Sequence, residues 1–238
     1  MQHMLRHFLA EFIGTFAFVF VGGASVMMMG FAGAPASVGM LAVALSQGII
    51  LAVLISALMR VSGHFNPAVS VGFFVVGRLE GRMLGIYLAG QILGSVLAVL
   101  TLQFTMPEAL FAATRGGGQS ISLDVTAGQA FVLEAIATFL LVFVVFGTAV
   151  DEKGPRVGGF AIGLTFACGF LAIGPLTGGS MNPARSFGPA VVTGIYEGQA
   201  IFWLAPIVGS VAAAMLYEHL FIRRGTEPVD HGAITDRP

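Results

Sequence analysis

A chain of 238 residues that is 56% hydrophobic and 10% charged, with a mean hydropathy of +0.91, has the composition of a bilayer protein. Soluble domains carry about 25% charged residues. The net charge of -1 says nothing about nucleic acid, but no basic run would track phosphates, so no nucleic-acid partner is expected; the single cysteine, Cys168, excludes an internal disulfide framework and a cysteine-built metal site.

Six apolar stretches approach or exceed the ~20 residues that a membrane span needs: 7–29, 38–59, 82–104, 128–150, 157–174 and 199–222. The end of the fifth is left open, because Gly174-Pro175 interrupts it. The first span follows Arg6 and precedes Ala32-Gly33-Ala34, which resembles a leader cleavage site. It is read as a span all the same. Its apolar run exceeds the ~7–15 residues of a leader core, and a near copy of it lies in mid-chain.

Between these spans lie two shorter starts. Ser62-Gly63-His64-Phe65-Asn66-Pro67-Ala68 answers to Thr177-Gly178-Gly179-Ser180-Met181-Asn182-Pro183-Ala184. Asn is a preferred N-cap and Pro suits the first helical position, so each box opens a helix. The apolar runs that follow, Val69 to Val76 and Phe187 to Val192, are too short to cross. They predict half-helices entering the membrane from loops, which is tolerated only where protein or a water-filled cavity surrounds them.

The copies belong to a longer repeat. Ala10-Glu11-Phe12-Ile13-Gly14-Thr15-Phe16 matches Leu133-Glu134-Ala135-Ile136-Ala137-Thr138-Phe139, and Gln91-Ile92-Leu93-Gly94-Ser95-Val96 matches Pro206-Ile207-Val208-Gly209-Ser210-Val211. Val38-Gly39 and Val157-Gly158 open matching spans. Three spans per half is odd, so the second half lies inverted, with a site expected near the midplane. The expected fold is all-α: six spans and two re-entrant half-helices forming one channel domain. Repeat 1 covers about 5–104, an outward loop 105–127, repeat 2 about 128–222, and a polar tail 223–238. Nine of the eleven Lys and Arg fall on one side, namely Arg6, Arg60, Arg78, Arg82, Lys153, Arg156, Arg223, Arg224 and Arg237. Only Arg115 and Arg185 fall on the other, which puts both termini in the cytoplasm, as in a plasma (inner) membrane.

Two boxes of Asn66-Pro67-Ala68 and Asn182-Pro183-Ala184, the three-plus-three repeat, the paired Glu11 and Glu134, and the run Asn182-Pro183-Ala184-Arg185-Ser186-Phe187-Gly188-Pro189 together resemble the aquaporin (major intrinsic protein) family. The resemblance covers about residues 5 to 222. It implies a passive channel for water, a homotetramer with one pore per chain, and no cofactor. Physical reasoning agrees on the boxes. Two half-helix N-termini, each worth roughly half a positive charge, repel cations, and the Asn66 and Asn182 amides can orient a water between them.

Glu11 and Glu134 lie inside apolar spans, where an ionisable group is a functional hypothesis by default. By resemblance they hold the re-entrant loops by accepting backbone amides. His64 lacks a second His or a Cys beside it and reads as a loop-packing residue. Gln91 reads as a partner for loop backbone, and Met27, Met28 and Met29 as span filler. Arg185, by resemblance, belongs to a narrow outer filter with Gln47, Phe170 and Gly179. Gln47 is placed by counting back from Ser62, since the first loop is one residue shorter than the family's usual pattern. A water-specific filter would have an aromatic at Gln47 and a histidine at Phe170, so this filter is atypical. Gly179 stands where mercury-sensitive relatives carry a cysteine. Ser186, Ala190 and Phe202-Trp203 differ from the pattern of glycerol-conducting relatives and favour water. Glycerol, urea or an undissociated metalloid acid stay open as alternative solutes. A coupled transporter would need midplane ion sites, and an enzyme a nucleophile–base pair or metal ligands; the sequence offers none of these.

Overall fold

The computed structural model describes residues 2–33 and 35–223. Ala34 of the Ala32-Gly33-Ala34 triplet, and the tail with Arg224 and Arg237, lie outside the described residues. The elements in chain order are α1 (Gln2–Phe31), α2 (Ala36–Leu58), α3 (Pro67–Val75), α4 (Gly81–Thr105), α5 (Glu108–Ala113), α6 (Ala127–Val145), α7 (Gly158–Thr177), α8 (Pro183–Thr193) and α9 (Gln199–Tyr217). π-helical turns extend α6 to Val150 and α9 to Ile222. Six of these helices are long and apolar enough to cross a membrane, α1, α2, α4, α6, α7 and α9. The two half-helices α3 and α8 have nine and eleven residues.

Local chemistry explains most boundaries. α6 opens on a capping box in which the Thr126 hydroxyl accepts from Gln129 N–H and the Gln129 side chain accepts from Thr126 N–H. α7 passes through Pro175, which forfeits one N–H, and ends at Thr177. There Gly178 turns left-handed at φ +78 and donates its N–H to the Gly174 carbonyl at 2.8 Å. The span left open at Gly174-Pro175 therefore runs about a turn further. α1 also starts earlier than its apolar run, at Gln2.

The outward loop holds more structure than its glycines suggest. It contains α5 and a 3-10 turn, Arg115–Gly117. Phe111 of α5 is buried, and Gly117, at φ +79, lies against α1: a Cβ added there would stand 2.5 Å from Gly23 Cα. That contact requires glycine at 117, which a reading of Gly116-Gly117-Gly118 as a plain linker does not reveal.

The packing repeats with the sequence. α1 lies along α4 as α6 lies along α9, and the halves meet where α2 crosses α7 and where each half-helix contacts the last span of the other half. At the α2–α7 crossing a Cβ on Gly48 would lie 2.5 Å from the Gly163 carbonyl oxygen, and one on Gly163 2.3 Å from that of Gly48. Such close backbone approach is how membrane helices gain contact without a hydrophobic driving force. Gly163→Val is expected to cost about 3 kcal/mol, at the upper part of the range for overpacking; thermal unfolding in detergent, followed by size exclusion, measures it. An unchanged midpoint would mean that the crossing is loose.

The half-helices are pinned reciprocally. Ser210 on α9 donates to the Ala68 carbonyl at 2.6 Å, and Ser95 on α4 to the Ala184 carbonyl at 2.5 Å. Glycines opposite make room: a Cβ on Gly72 would meet Ser210 Oγ at 2.5 Å, and one on Gly188 would meet Ser95 Oγ at 2.1 Å. At the far end of α3, buried Glu218 accepts from Arg78 Nε at 2.6 Å and Arg223 Nε at 3.2 Å. The end of α9 is thereby tied to the turn after α3.

Candidate functional site

Each box folds as its residues dictate. Asn66 caps α3 with its side-chain oxygen accepting from Ala68 N–H at 2.9 Å. Asn182 caps α8 and accepts from Ala184 N–H at 3.0 Å and Arg185 N–H at 3.3 Å. Pro67 and Pro183 follow at the first helical position, where a missing N–H costs nothing. The other end of each amide reaches across to the opposite loop. Asn66 Nδ2 donates to the Met181 carbonyl and Asn182 Nδ2 to the Phe65 carbonyl, each at 2.8 Å. One N–H of each amide is so used, and one remains.

The residues before the asparagines make this exchange possible. Phe65 and Met181 have φ of 48 and 50, left-handed values that are rare for side-chain-bearing residues. Such strain costs on the order of 1–3 kcal/mol and persists only when its surroundings over-determine it. Here they do. Phe65 N–H donates to Glu11 Oε2 and Met181 N–H to Glu134 Oε2, both at 2.7 Å, while their carbonyls are held by the opposite asparagines. The side chains sit over glycines: a Cβ on Gly14 would lie 2.1 Å from Phe65 Cε1, and one on Gly169 would lie 2.6 Å from Met181 Sδ. Sequence reasoning missed Phe65 and Met181, and a non-glycine residue at positive φ leaves no sequence signal. Ser95 and Ser210 were aligned in the repeat, a signal that could have revealed their shared role.

Both glutamates are fully buried and each grips one loop. Glu11 accepts from Ser62 Oγ, from His64 N–H at 3.0 Å and from Phe65 N–H. Glu134 accepts from Thr177 Oγ1 at 2.7 Å, Ser180 N–H at 2.8 Å and Met181 N–H. Gln91 differs from its expected role. Its amide donates to Glu11 Oε2 at 2.6 Å and Ser70 Oγ at 2.9 Å, so it touches the loop backbone only through those side chains. The matching position in the second half is Pro206, and the fourth bond is lost there. His64 pairs its Nδ1 with Ser70 Oγ at 3.1 Å and packs on Phe73 and Tyr87.

Between the boxes lies a space of about 20 Å³, lined by Asn66 and Asn182 and by apolar residues such as Leu51, Ile55, Val69 and Ile162. A water needs about 10–15 Å³ on the same measure, so the space holds about one water. A vestibule of about 200 Å³ shares Ile55, His64 and Ile162 with it and is lined also by Tyr87.

Arg185, Gln47, Phe170 and Gly179 come together on the other side of the boxes. The Arg185 Nε donates to Gln47 Oε1 at 3.0 Å, and Nη1 donates to the Gly179 carbonyl at 3.1 Å and the Gly178 carbonyl at 3.4 Å. The guanidinium carbon stands 5.6 Å from the Phe170 ring centre and 6.0 Å from that of Phe166. The second loop is one residue longer than the first, and its two glycines at φ +78 and +56 supply the carbonyls that hold the arginine. At the place of Arg185 in the first half stands Val69. Gln47 is fully buried, and its Nε2 has no protein partner.

Cys168, two residues before Phe170, is exposed on the outer surface of the bundle. Two residues are about 200° around a helix, so buried Phe170 and exposed Cys168 face opposite ways. Mercurials are expected to leave flux through the protein unchanged, and strong inhibition abolished by Cys168→Ser would overturn the register of α7. A cysteine at Gly179 is not the neutral probe that the sequence suggests. It would need φ +56 and would place a Cβ 2.9 Å from Phe170 Cδ2.

A model described as "Major intrinsic protein" matches residues 1–217. The chain is 41% identical over 229 residues to Aquaporin TIP4-4 of Zea mays, covering 93% of this chain and 88% of that protein. It is 36% identical to the Probable aquaporin NIP-type of Nicotiana alata, with 95% and 81% covered. Among solved structures, the aquaglyceroporin from Plasmodium falciparum superposes with a TM-score of 0.79, at 24% identity, over 92% of this chain and 97% of that one. That likeness speaks for the fold. With the family match spanning nearly the whole chain and relatives above a third identical almost end to end, this integral membrane protein belongs to the major intrinsic protein family, the aquaporin channels.

Proposed function

We propose that the protein is a passive, bidirectional water channel that rejects protons and ions. The observation that carries the reading is the pair Asn66 and Asn182, standing where two half-helix ends meet beside a space that holds about one water. Each amide has one N–H left after its bond to the opposite loop. Donating both to a single water oxygen uses both of its lone pairs, so that water accepts no hydrogen bond from its neighbours and cannot relay a proton. The apolar wall of Leu51, Ile55, Val69 and Ile162 offers no alternative relay. The half-helix ends add roughly half a positive charge each, which opposes hydronium and metal cations.

In this reading Gln47, Phe170, Gly179 and Arg185 form the selecting constriction, and Glu11, Glu134, His64 and Gln91 support the loops. Neither cofactor nor covalent chemistry takes part. The chain forms a single channel domain and assembles as a homotetramer in a plasma (inner) membrane, with both termini cytoplasmic. A second reading, a facilitator of small neutral solutes, is favoured by Gln47 and Phe170, which stand where a water-specific filter would have an aromatic and a histidine. Stopped-flow swelling of proteoliposomes under water, glycerol and urea gradients separates the two. Water flux well above that of empty vesicles supports the first reading. Solute flux raised over a water flux equal to that of empty vesicles overturns it in favour of the second.

A further inference from the structure

The early start of α1 puts His3 on the same helix as His7, at the edge of the apolar run, and the pore does not use them. His3 and His7 stand one helical turn apart, with their Nε2 atoms 3.1 Å from each other and ring centres 4.3 Å apart. The other ring nitrogen of His7, Nδ1, lies 2.8 Å from the phenol oxygen of Tyr87 on α4, and those rings stack at 5.7 Å. Tyr87 in turn lines the vestibule with Ser62, His64 and Phe73.

The two nitrogens have the bite of a chelate. An ion about 2.05 Å from each, the usual zinc–imidazole distance, would subtend an angle of roughly 100° at a separation of this size, close to tetrahedral. Two histidines four residues apart are also how a helix presents a metal with both ligands on one face. The Tyr87 contact supplies the outer shell. A neutral imidazole carries one proton, and placing it on Nδ1 to donate to the Tyr87 oxygen leaves the Nε2 lone pair facing His3. Metal-ligating histidines are oriented in this way by the partner of their other nitrogen. His3 is exposed, so an ion enters from water, and water fills the remaining positions. Among the described residues no cluster of three or more His, Cys, Asp or Glu side chains could hold a metal. The site is therefore an exchangeable one.

We propose that His3 and His7 form a two-imidazole site for a divalent transition-metal ion of the zinc class, oriented by Tyr87. The test is calorimetric titration of Zn²⁺ into the untagged full-length protein in lipid nanodiscs at neutral pH. One ion per chain is expected. His3→Ala and His7→Ala should each weaken binding at least tenfold, while His219→Ala, whose ring bonds its own helix at the Met215 carbonyl, should leave it unchanged. Tyr87→Phe should keep the stoichiometry and lower the affinity by about 10–100-fold, the usual cost of losing an outer-shell partner. Size exclusion of each variant confirms an intact fold, and the tetrahedral absorption band of Co²⁺ gives a second readout on the wild type. Absence of binding up to millimolar Zn²⁺, or binding that survives the double substitution of His3 and His7, overturns the site. An affinity indifferent to Tyr87→Phe overturns the orienting role.

Discussion

Glu134→Ala is expected to abolish folded, pore-forming protein instead of altering which solutes pass. The carboxylate accepts from Thr177 Oγ1 and from the N–H groups of Ser180 and Met181. Its removal leaves two buried N–H donors unmet at about 1–3 kcal/mol each, against a total stability on the order of 5–15 kcal/mol, while the Thr177 hydroxyl keeps the Ile173 carbonyl at 3.3 Å. It also releases Met181 from its left-handed backbone, and with it the carbonyl that holds the Asn66 amide. The loss therefore spreads to both boxes. Glu134→Gln keeps the shape and one acceptor oxygen but turns an NH2 toward donors, so an intermediate defect is expected. Yield of monodisperse protein on size exclusion, followed by water flux of whatever reconstitutes, measures both. Wild-type yield of Glu134→Ala with a changed urea-to-water ratio would show that the residue selects solute instead of holding the loop.

The glutamates illustrate what the sequence makes legible. An ionisable residue in each of two matching spans announces itself, because hydrocarbon has no ordinary use for it. So do the Asn-Pro starts, whose chemistry is local, and the spans, whose length the bilayer sets. Other features depend on backbone meeting backbone across the fold, and no single segment encodes them. Phe65 and Met181 look like filler until their φ values and opposite partners are known. The outward loop reads as glycine-rich linker, yet Gly117 fits against Gly23 of α1 some ninety residues away. Gln91 was expected on loop backbone, and instead reaches Glu11 and Ser70, because a polar group in mid-span takes the nearest carboxylate. The filter positions fall between these cases. Gln47, Phe170, Gly179 and Arg185 are found by spacing and resemblance, but the Gln47–Arg185 bond is a product of the fold. The extra glycine of the second loop, Gly179, supplies one of the carbonyls that hold the arginine.

Arg185→Val should raise urea flux by about tenfold or more, the change expected if the barrier at the constriction falls by ~1.4 kcal/mol. The guanidinium is drawn toward the Gln47 side chain and the carbonyls of Gly178 and Gly179, with Nη2 in none of those bonds. Valine is shorter and uncharged, so the constriction gains width and loses a fixed positive charge at one step. Gln47 Oε1 and the two carbonyls then face the lumen, where water satisfies them, and the fold should survive. Proton rejection should largely survive as well. In the proposed reading it rests on the meeting ends of α3 and α8 and on the Asn66 and Asn182 amides, none of which bonds the arginine side chain. Urea-gradient shrinkage and acidification of a trapped pH dye, followed in the same vesicles, read the two properties together. Unchanged urea flux would place the narrowest point elsewhere along the pore. Rapid acidification alongside raised urea flux would instead move proton exclusion from the half-helix ends to the arginine, and the role given to Asn66 and Asn182 would fall with it.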